Sequence, residues 1–289
     1  VTRLARRLPL HVALIAMMVL WSVPTLALLV SSFRDPSAIA SSGWWRAPGE
    51  PLGLGNYVAV LSRAGMARAF VNSLLITVPS TLLVVVVASA AAYAFAWMEF
   101  PGKGTLLLLV IGLLVVPLQM TLIPVLRLLG AATIEWRVPV IGGNLFGVSS
   151  YPGIWLAHVA YGLPFAVFLL RNFFASLPRD LIEAAQLDGA SDWQVFRRVV
   201  LPLSVAAIAA LSIFQFLWTW NDLLIALVLV GDPGMAPMTL QITTLVSSYG
   251  TSYQLLTAAA FISMAVPLLV FFAFQRYFVQ GILSGATKG

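Results

Sequence analysis

The chain contains no cysteine, which excludes a disulfide framework, a thiolate metal site and a cysteine nucleophile. Charge is nearly as scarce. Asp, Glu, Lys and Arg make up 9% of the 289 residues, against 61% hydrophobic ones, where a water-soluble domain carries about a quarter charged residues. That deficit describes an integral membrane protein. Lysine occurs only as Lys103 and Lys288, and neither closes a G-x-x-x-x-G-K-[ST] phosphate loop. Lacking that cradle of backbone N–H groups, the chain is not by itself a P-loop ATPase, so ATP-driven work would fall to another chain. The net charge of +6 does not come from a basic run with interleaved aromatics, so it marks no nucleic-acid surface. In a membrane protein, arginine near the span ends reports orientation and contact with anionic lipid.

What the chain has is long apolar runs. About 20 apolar residues cross the hydrocarbon as a helix, and six such runs are expected as transmembrane helices, at 10–30, 70–97, 105–126, 151–170, 203–230 and 255–279. The fold class is therefore all-α. The first run follows Arg3, Arg6 and Arg7, and Ala38-Ile39-Ala40 resembles a signal cleavage site. Its length exceeds the 7–15 residues of a signal core, so it reads as a retained span with residues 1–9 inside. Residues 31–69, rich in Gly, Pro and Ser around Trp44, Trp45 and Tyr57, read as an external loop with aromatics at the interface. Residues 70–279 form a five-helix transport domain with an elbow at 178–202 and a second external loop at 231–253. Residues 280–289 are an internal tail. On this topology ten basic residues fall inside and six outside (Arg34, Arg46, Arg63, Arg68, Arg127 and Arg137), in agreement with the positive-inside rule. Both termini are then cytoplasmic. Span three carries Pro117 and Pro124 around Gln119 and Thr121, and the carbonyls freed by proline need protein or a water-filled cavity to answer them.

The most charge-rich interval between two spans is Asp180 to Pro202, DLIEAAQLDGASDWQVFRRVVLP. Asp180 precedes Glu183 by three residues, and Ser191 precedes Gln194 by three. Each pair has the spacing of a helix cap and its return bond. Gly189 lies between them, where a helix end favours a residue tolerant of positive φ. A short helix, a tight elbow and a second helix running into the membrane at Leu201-Pro202 follow from this pattern.

Glu183-Ala184-Ala185, Gly189 three residues on, and Val199, Leu201 and Pro202 after a nine-residue gap resemble the EAA loop of binding-protein-dependent ABC importers, with Val199 replacing the usual Ile. Asn72-Ser73-Leu74, Phe100-Pro101-Gly102-Lys103, Trp220-Asn221-Asp222 and Gln275-Arg276-Tyr277-Phe278 narrow the likeness to the carbohydrate branch, similar to the maltose-transport G-type inner-membrane subunits. The resemblance implies the type I importer permease fold in the cytoplasmic membrane. It implies a second, F-type permease subunit, two ATPase subunits that hold ATP and Mg, and an extracytoplasmic solute-binding protein that delivers a sugar. No cofactor or metal is expected in this chain itself. Glu183, Ala184, Ala185, Asp188, Gly189, Leu201 and Pro202 are implied as the coupling element. Glu183 makes a charge contact with the ATPase, the alanines permit close approach and Gly189 sets the turn. The loop around Pro233, Gly234, Pro237 and Tyr249 is implied to touch the binding protein, and the Gly285–Gly289 end to reach toward the ATPase interface.

The residues themselves suggest a substrate pathway at Gln119, Trp218, Trp220, Asn221 and Asp222. An ionisable residue within a span is a functional hypothesis, and sugars present apolar C–H faces to aromatic rings and hydroxyls to polar side chains. The alternative for Asp222 is that it caps local backbone. Two other classes compete with transport driven by a separate ATPase. A membrane-embedded lipid-linked glycosyl-transfer enzyme needs paired carboxylates or a metal cluster, and Asp180, Glu183, Asp188 and Asp192 have no adjacent His at ligand spacing. An ion-coupled secondary transporter needs several intramembrane carboxylates, and only Asp222 is available. No internal repeat is evident either, as inverted-repeat transporters require.

Overall fold

The computed structural model describes residues 2–63, 65–135, 142–249 and 253–286. They group into two compact units, 1–67 with 241–265 and 68–240 with 266–289. Among the described residues four helices are long and apolar enough to cross a membrane, and two bent helix pairs bring the total to as many as six. The four are α1 (Thr2–Ser32), α4 (Met66–Trp97), α7 (Tyr151–Phe174) and α13 (Tyr253–Ala286). The last three residues of the tail lie outside the described residues, so its expected reach toward a partner is not seen.

In the first unit, α1 beyond Arg7 is mostly apolar and exposed along 8–26, and it becomes half-buried and then buried towards Ser32. The segment after it, expected as a loop, is largely helical: α2 (Pro36–Ser41), a 3₁₀ turn (Trp44–Gly49) and α3 (Gly55–Arg63). One buried arginine organises it. Arg34, 1% exposed, donates from Nε to Glu50 Oε2 at 2.7 Å and from Nη2 to Glu50 Oε1 at 2.9 Å. Its Nη1 and Nη2 also reach the carbonyls of Ser42 and Ala38 at 3.2 and 3.0 Å. Asn56 Nδ2 closes the segment onto the end of α1 through the carbonyls of Ser32 and Arg34, both at 2.9 Å. The hydrogen bond from Arg34, and then that from Ser42, hold the Glu50 carboxyl below its ordinary 4.5. A carboxyl with a depressed folded-state pKa adds stability that is present above the ordinary value and is lost as pH falls through the folded one. Tryptophan emission from Trp44 and Trp45 is therefore expected to shift only below pH 4.5 in wild type, and to be altered at neutral pH in Glu50→Gln.

In the second unit, the run expected as one span at 105–126 is broken. Helix α5 (Lys103–Leu113) and α6 (Leu118–Ala131) meet at 105°. Proline supplies the reason. Pro117 has no N–H and keeps the preceding residue out of the helical region, and the chain leaves α5 through tighter bonds, Val115 N–H to Gly112 O and Val116 N–H to Leu113 O. The loop after α6 folds back with Ile134 bridging Phe146. Gly147, at φ +90, passes so close to Thr133 that an added Cβ would lie 2.5 Å from its Cα. Arg137 lies outside the described residues.

The elbow packs on the lower parts of α4 and α7. Ile182, Val195, Phe196 and Val200 are buried with Val84, Ala88, Ala92, Leu170, Phe174 and Leu211. A second cluster joins Ile76, Tyr151, Ile154, Ile225, Leu229 and Met235.

Candidate functional site

Helix α8 (Arg179–Leu187) carries the EAA residues. It is not capped by Asp180, as the spacing suggests, because Pro178 occupies the cap position and makes no side-chain bond. Proline just ahead of the first turn fixes the entering backbone, and Asp180 becomes the second helical residue, where its charge favours the positive end of the helix dipole. The C-terminus closes as anticipated. Gly189 adopts φ +83, its N–H donates to Gln186 O at 3.0 Å and the Ala190 N–H donates to Ala185 O at 3.0 Å. This pair of bonds is the Schellman arrangement, which satisfies orphan carbonyls by placing one residue in the left-handed region. Helix α9 (Asp192–Leu203) starts at once. The Ser191 N–H donates to Gln194 Oε1 at 2.8 Å, the return bond of the second cap pair. Within α9, Phe196–Val200 is a π-turn, and the Leu201 N–H reaches Phe196 O. A π-turn here accommodates Pro202, which has no N–H to give.

Only Ile182 of α8 is buried. Glu183, Ala184, Asp188 and Gly189 are exposed, and Ala185 is half-buried. Two large apolar side chains share the outer surface, Leu181 and, at 88% exposure, Leu187. Sequence reasoning missed them, although leucine at 181 and 187 brackets the EAA motif. A helix seated by one buried side chain, entered through a proline, closed by a Schellman turn and carrying two leucines among its exposed polar groups, suits contact with a second protein.

The candidate pathway residues separate. Helix α10 (Val205–Trp220) ends at Asn221, and α11 (Leu224–Leu229) begins three residues later, so the run expected at 203–230 is also interrupted. The Asp222 carboxylate caps α11, its Oδ2 accepting from the N–H groups of Ile225 at 3.0 Å and Ala226 at 3.3 Å. Trp220, 2% exposed, stacks on Phe216 and meets Phe70 edge-on. Trp220 therefore sits in the core of this chain. Trp218 is 46% exposed and, with Asn221, Asp222 and Phe214, lines an open groove of about 620 Å³. Gln119 is exposed on α6 and is not among the residues lining that groove. Behind the groove, Ser73, Thr77, His158, Thr219 and Asp222 face a cavity of about 10 Å³, room for about one water.

The stretch at 231–253 is not wholly a loop: α12 (Met238–Tyr249) occupies half of it. The Asp232 side chain caps a short turn, Pro233–Met235. Pro233 is exposed, Gly234 half-buried and Pro237 buried, and the Tyr249 side chain lies outside the described residues. Asn72 pins this turn. Its Nδ2 donates to Gly234 O at 2.9 Å and Ala236 O at 3.0 Å, and its Oδ1 accepts from Tyr151 OH at 2.9 Å. Ser73 Oγ accepts the Met238 N–H at 2.8 Å. Two adjacent polar residues inside an apolar span were the available signal for this clamp.

A model of the family described as binding-protein-dependent transport system inner membrane component matches residues 4–284. The chain belongs to that family. The permease is 50% identical to an osmoprotective compounds uptake permease protein of Synechocystis, over 99% of this chain and 94% of that one. It is 38% identical to an alpha-glucoside transport system permease protein of Rhizobium meliloti, over 99% of each. A diacetylchitobiose uptake system permease protein of Streptomyces coelicolor is 32% identical over 94% of this chain and 87% of that one. Among solved structures, a bacterial ABC transporter involved in the import of the acidic polysaccharide alginate superposes with a TM-score of 0.75. That match covers 93% of this chain and 95% of that one, and at 18% identity it speaks for the fold. The permease is thus a multi-pass transport subunit of an ABC importer with the fold that the EAA spacing implies.

Proposed function

We propose that this permease moves a neutral sugar or small glycoside from an extracytoplasmic binding protein across the cytoplasmic membrane by alternating access. Two ATPase copies, holding ATP and Mg, dock on α8 and drive it beside a second, F-type permease subunit. The residues on the cytoplasmic side are then α8, α9 and both termini, and the turn pinned by Asn72 faces the binding protein. The observation that supports the reading is α8, entered through Pro178 and closed by the Gly189 turn, with Leu181, Glu183 and Leu187 exposed. When the motor dimer closes, a helix held at both ends transmits the displacement rather than absorbing it.

The groove narrows the cargo. Trp218 offers a ring face, and Asn221 and Asp222 offer hydrogen-bonding groups. No basic residue occurs from Val199 to Leu240, so this wall suits a neutral cargo better than the acidic polysaccharide of the structural relative. The relatives named for alpha-glucosides and diacetylchitobiose support the same choice. The test is uptake of labelled alpha-glucosides, chitobiose derivatives and acidic oligosaccharides by the complete complex in vesicles. Neutral glycosides are expected to be taken up, and uptake confined to the acidic oligosaccharides contradicts the reading. In Trp218→Ala, loss of one aromatic face is expected to lower uptake about 3–10-fold at limiting cargo, corresponding to about 0.5–1.5 kcal/mol.

A further inference from the structure

Helix α9 meets α10 at 77°. A transmembrane helix lies about 20° from the membrane normal on average, so a helix nearly perpendicular to it runs close to the membrane plane. One side of α9 is fixed in the core by Val195, Phe196 and Val200. The other side presents Trp193, Gln194, Arg197 and Arg198, which line a cleft of about 300 Å³. Spacing of four residues sets Trp193 beside Arg197 and Gln194 beside Arg198 on the helix surface.

Every group this cleft offers a ligand is a donor. The indole N–H and the two guanidinium groups have no acceptor. The acceptor oxygen of Gln194 is engaged by the Ser191 N–H at 2.8 Å and by Ser191 Oγ at 3.3 Å. Among the described residues neither Arg197 nor Arg198 enters an ion pair. A cleft with two unneutralised guanidinium groups and only donors calls for an anion with several acceptor oxygens, and the guanidinium fork matches a phosphate.

Position decides the source. Arg197 and Arg198 are the last charged residues before an uncharged run from Val199 to Asn221 that forms α10. They therefore sit where the chain enters the hydrocarbon, the depth of the headgroup phosphates, beside a tryptophan that is 63% exposed. Tryptophan favours that same layer. We propose that the Trp193–Arg197–Arg198 cleft binds the phosphate headgroup of an anionic membrane phospholipid and so anchors α9 to the membrane surface behind the coupling helix.

The probe is phosphatidylglycerol. Native mass spectrometry of the complete importer complex, taken from bilayers of phosphatidylglycerol and phosphatidylcholine, counts the retained lipid. Wild type is expected to retain phosphatidylglycerol over phosphatidylcholine. The double variant Arg197→Gln/Arg198→Gln is expected to bind it about 10-fold more weakly, and Arg197→Lys/Arg198→Lys to hold most of it. Inorganic phosphate is not expected to displace the lipid. Equal retention of the two lipids by wild type overturns the proposal, a comparison that needs no variant to fold. Displacement by inorganic phosphate overturns it in favour of a soluble-anion site. Loss of the ATPase subunits from the glutamine variant with its lipid retained overturns it in favour of a protein interface.

Discussion

Replacing Gly189 by valine is expected to reduce ATP-dependent uptake by about 10-fold or more while the protein still accumulates in the membrane. Nothing lies within 4 Å of an added Cβ at Gly189, so the substitution acts through the backbone rather than through a clash. At φ +83 an L-residue pays about 1–2 kcal/mol, and a β-branched one fares worst. The chain escapes by leaving the left-handed region, which breaks the bonds from Gly189 to Gln186 and from Ala190 to Ala185. Helix α8 then frays at the end that carries Asp188, and the angle to α9 is no longer fixed. Core residues are untouched, since only Ile182 of α8 is buried. Lost uptake with normal thermal unfolding therefore separates a coupling defect from a folding defect. Gly189→Asn, a residue that tolerates the left-handed region, is expected to retain most of the uptake.

Asn72→Ala has the opposite signature. Asn72 and Tyr151 are both buried, and the substitution removes three hydrogen bonds at once, two to the carbonyls of Gly234 and Ala236 and one from Tyr151 OH. Each buried group left unpaired costs about 1–3 kcal/mol, and partial relaxation brings the total to about 3 kcal/mol. Thermal unfolding of the purified protein is expected to fall by roughly 5–10 °C, with uptake reduced because the turn at 233–235 is released. Tyr151→Phe removes one of the three bonds and is expected to shift unfolding by about a third as much. An unchanged midpoint in Asn72→Ala would show that the clamp holds nothing.

These two sites differ in how far the residues alone revealed them. The geometry of the elbow at 178–202 was legible because its chemistry is local. A glycine needed at positive φ, a serine three residues before a glutamine and a polar island between apolar runs all act over a few residues. Even there Asp180 sits two residues beyond the cap position, since Pro178 takes that place through backbone geometry and not through a hydrogen bond. The spans formed by α1, α4, α7 and α13 follow from length and hydropathy, because hydrocarbon demands an unbroken apolar helix. The broken elements did not follow. Hydropathy is blind to direction, so the 105° turn before Leu118 and the 77° turn at Ser204 look like continuous apolar sequence. Helix α12 was read as loop because its mixed threonine, serine and leucine pattern matches neither a span nor an amphipathic stripe. The role of Asp222 turned on whether a chain break lies beside it. Trp220 and Trp218, two residues apart, end in core and groove respectively, a division set by packing against Phe70 and Phe216.

On the proposed function, motion of a separate motor reaches the spans through α8. Glu183 is exposed between Leu181 and Leu187 and sits on no other part of the chain's own core, so reversing its charge alters the docking face and little else. The most direct measurement is ATP-dependent uptake of a labelled neutral glycoside by the reconstituted complex, wild type beside Glu183→Lys, with ATP hydrolysis recorded in the same vesicles. Wild type is expected to import the sugar, and Glu183→Lys to reach the membrane but import almost none, with its ATPase either lost or hydrolysing without transport. Normal uptake by Glu183→Lys would contradict it, and the coupling surface would have to be sought elsewhere on the permease.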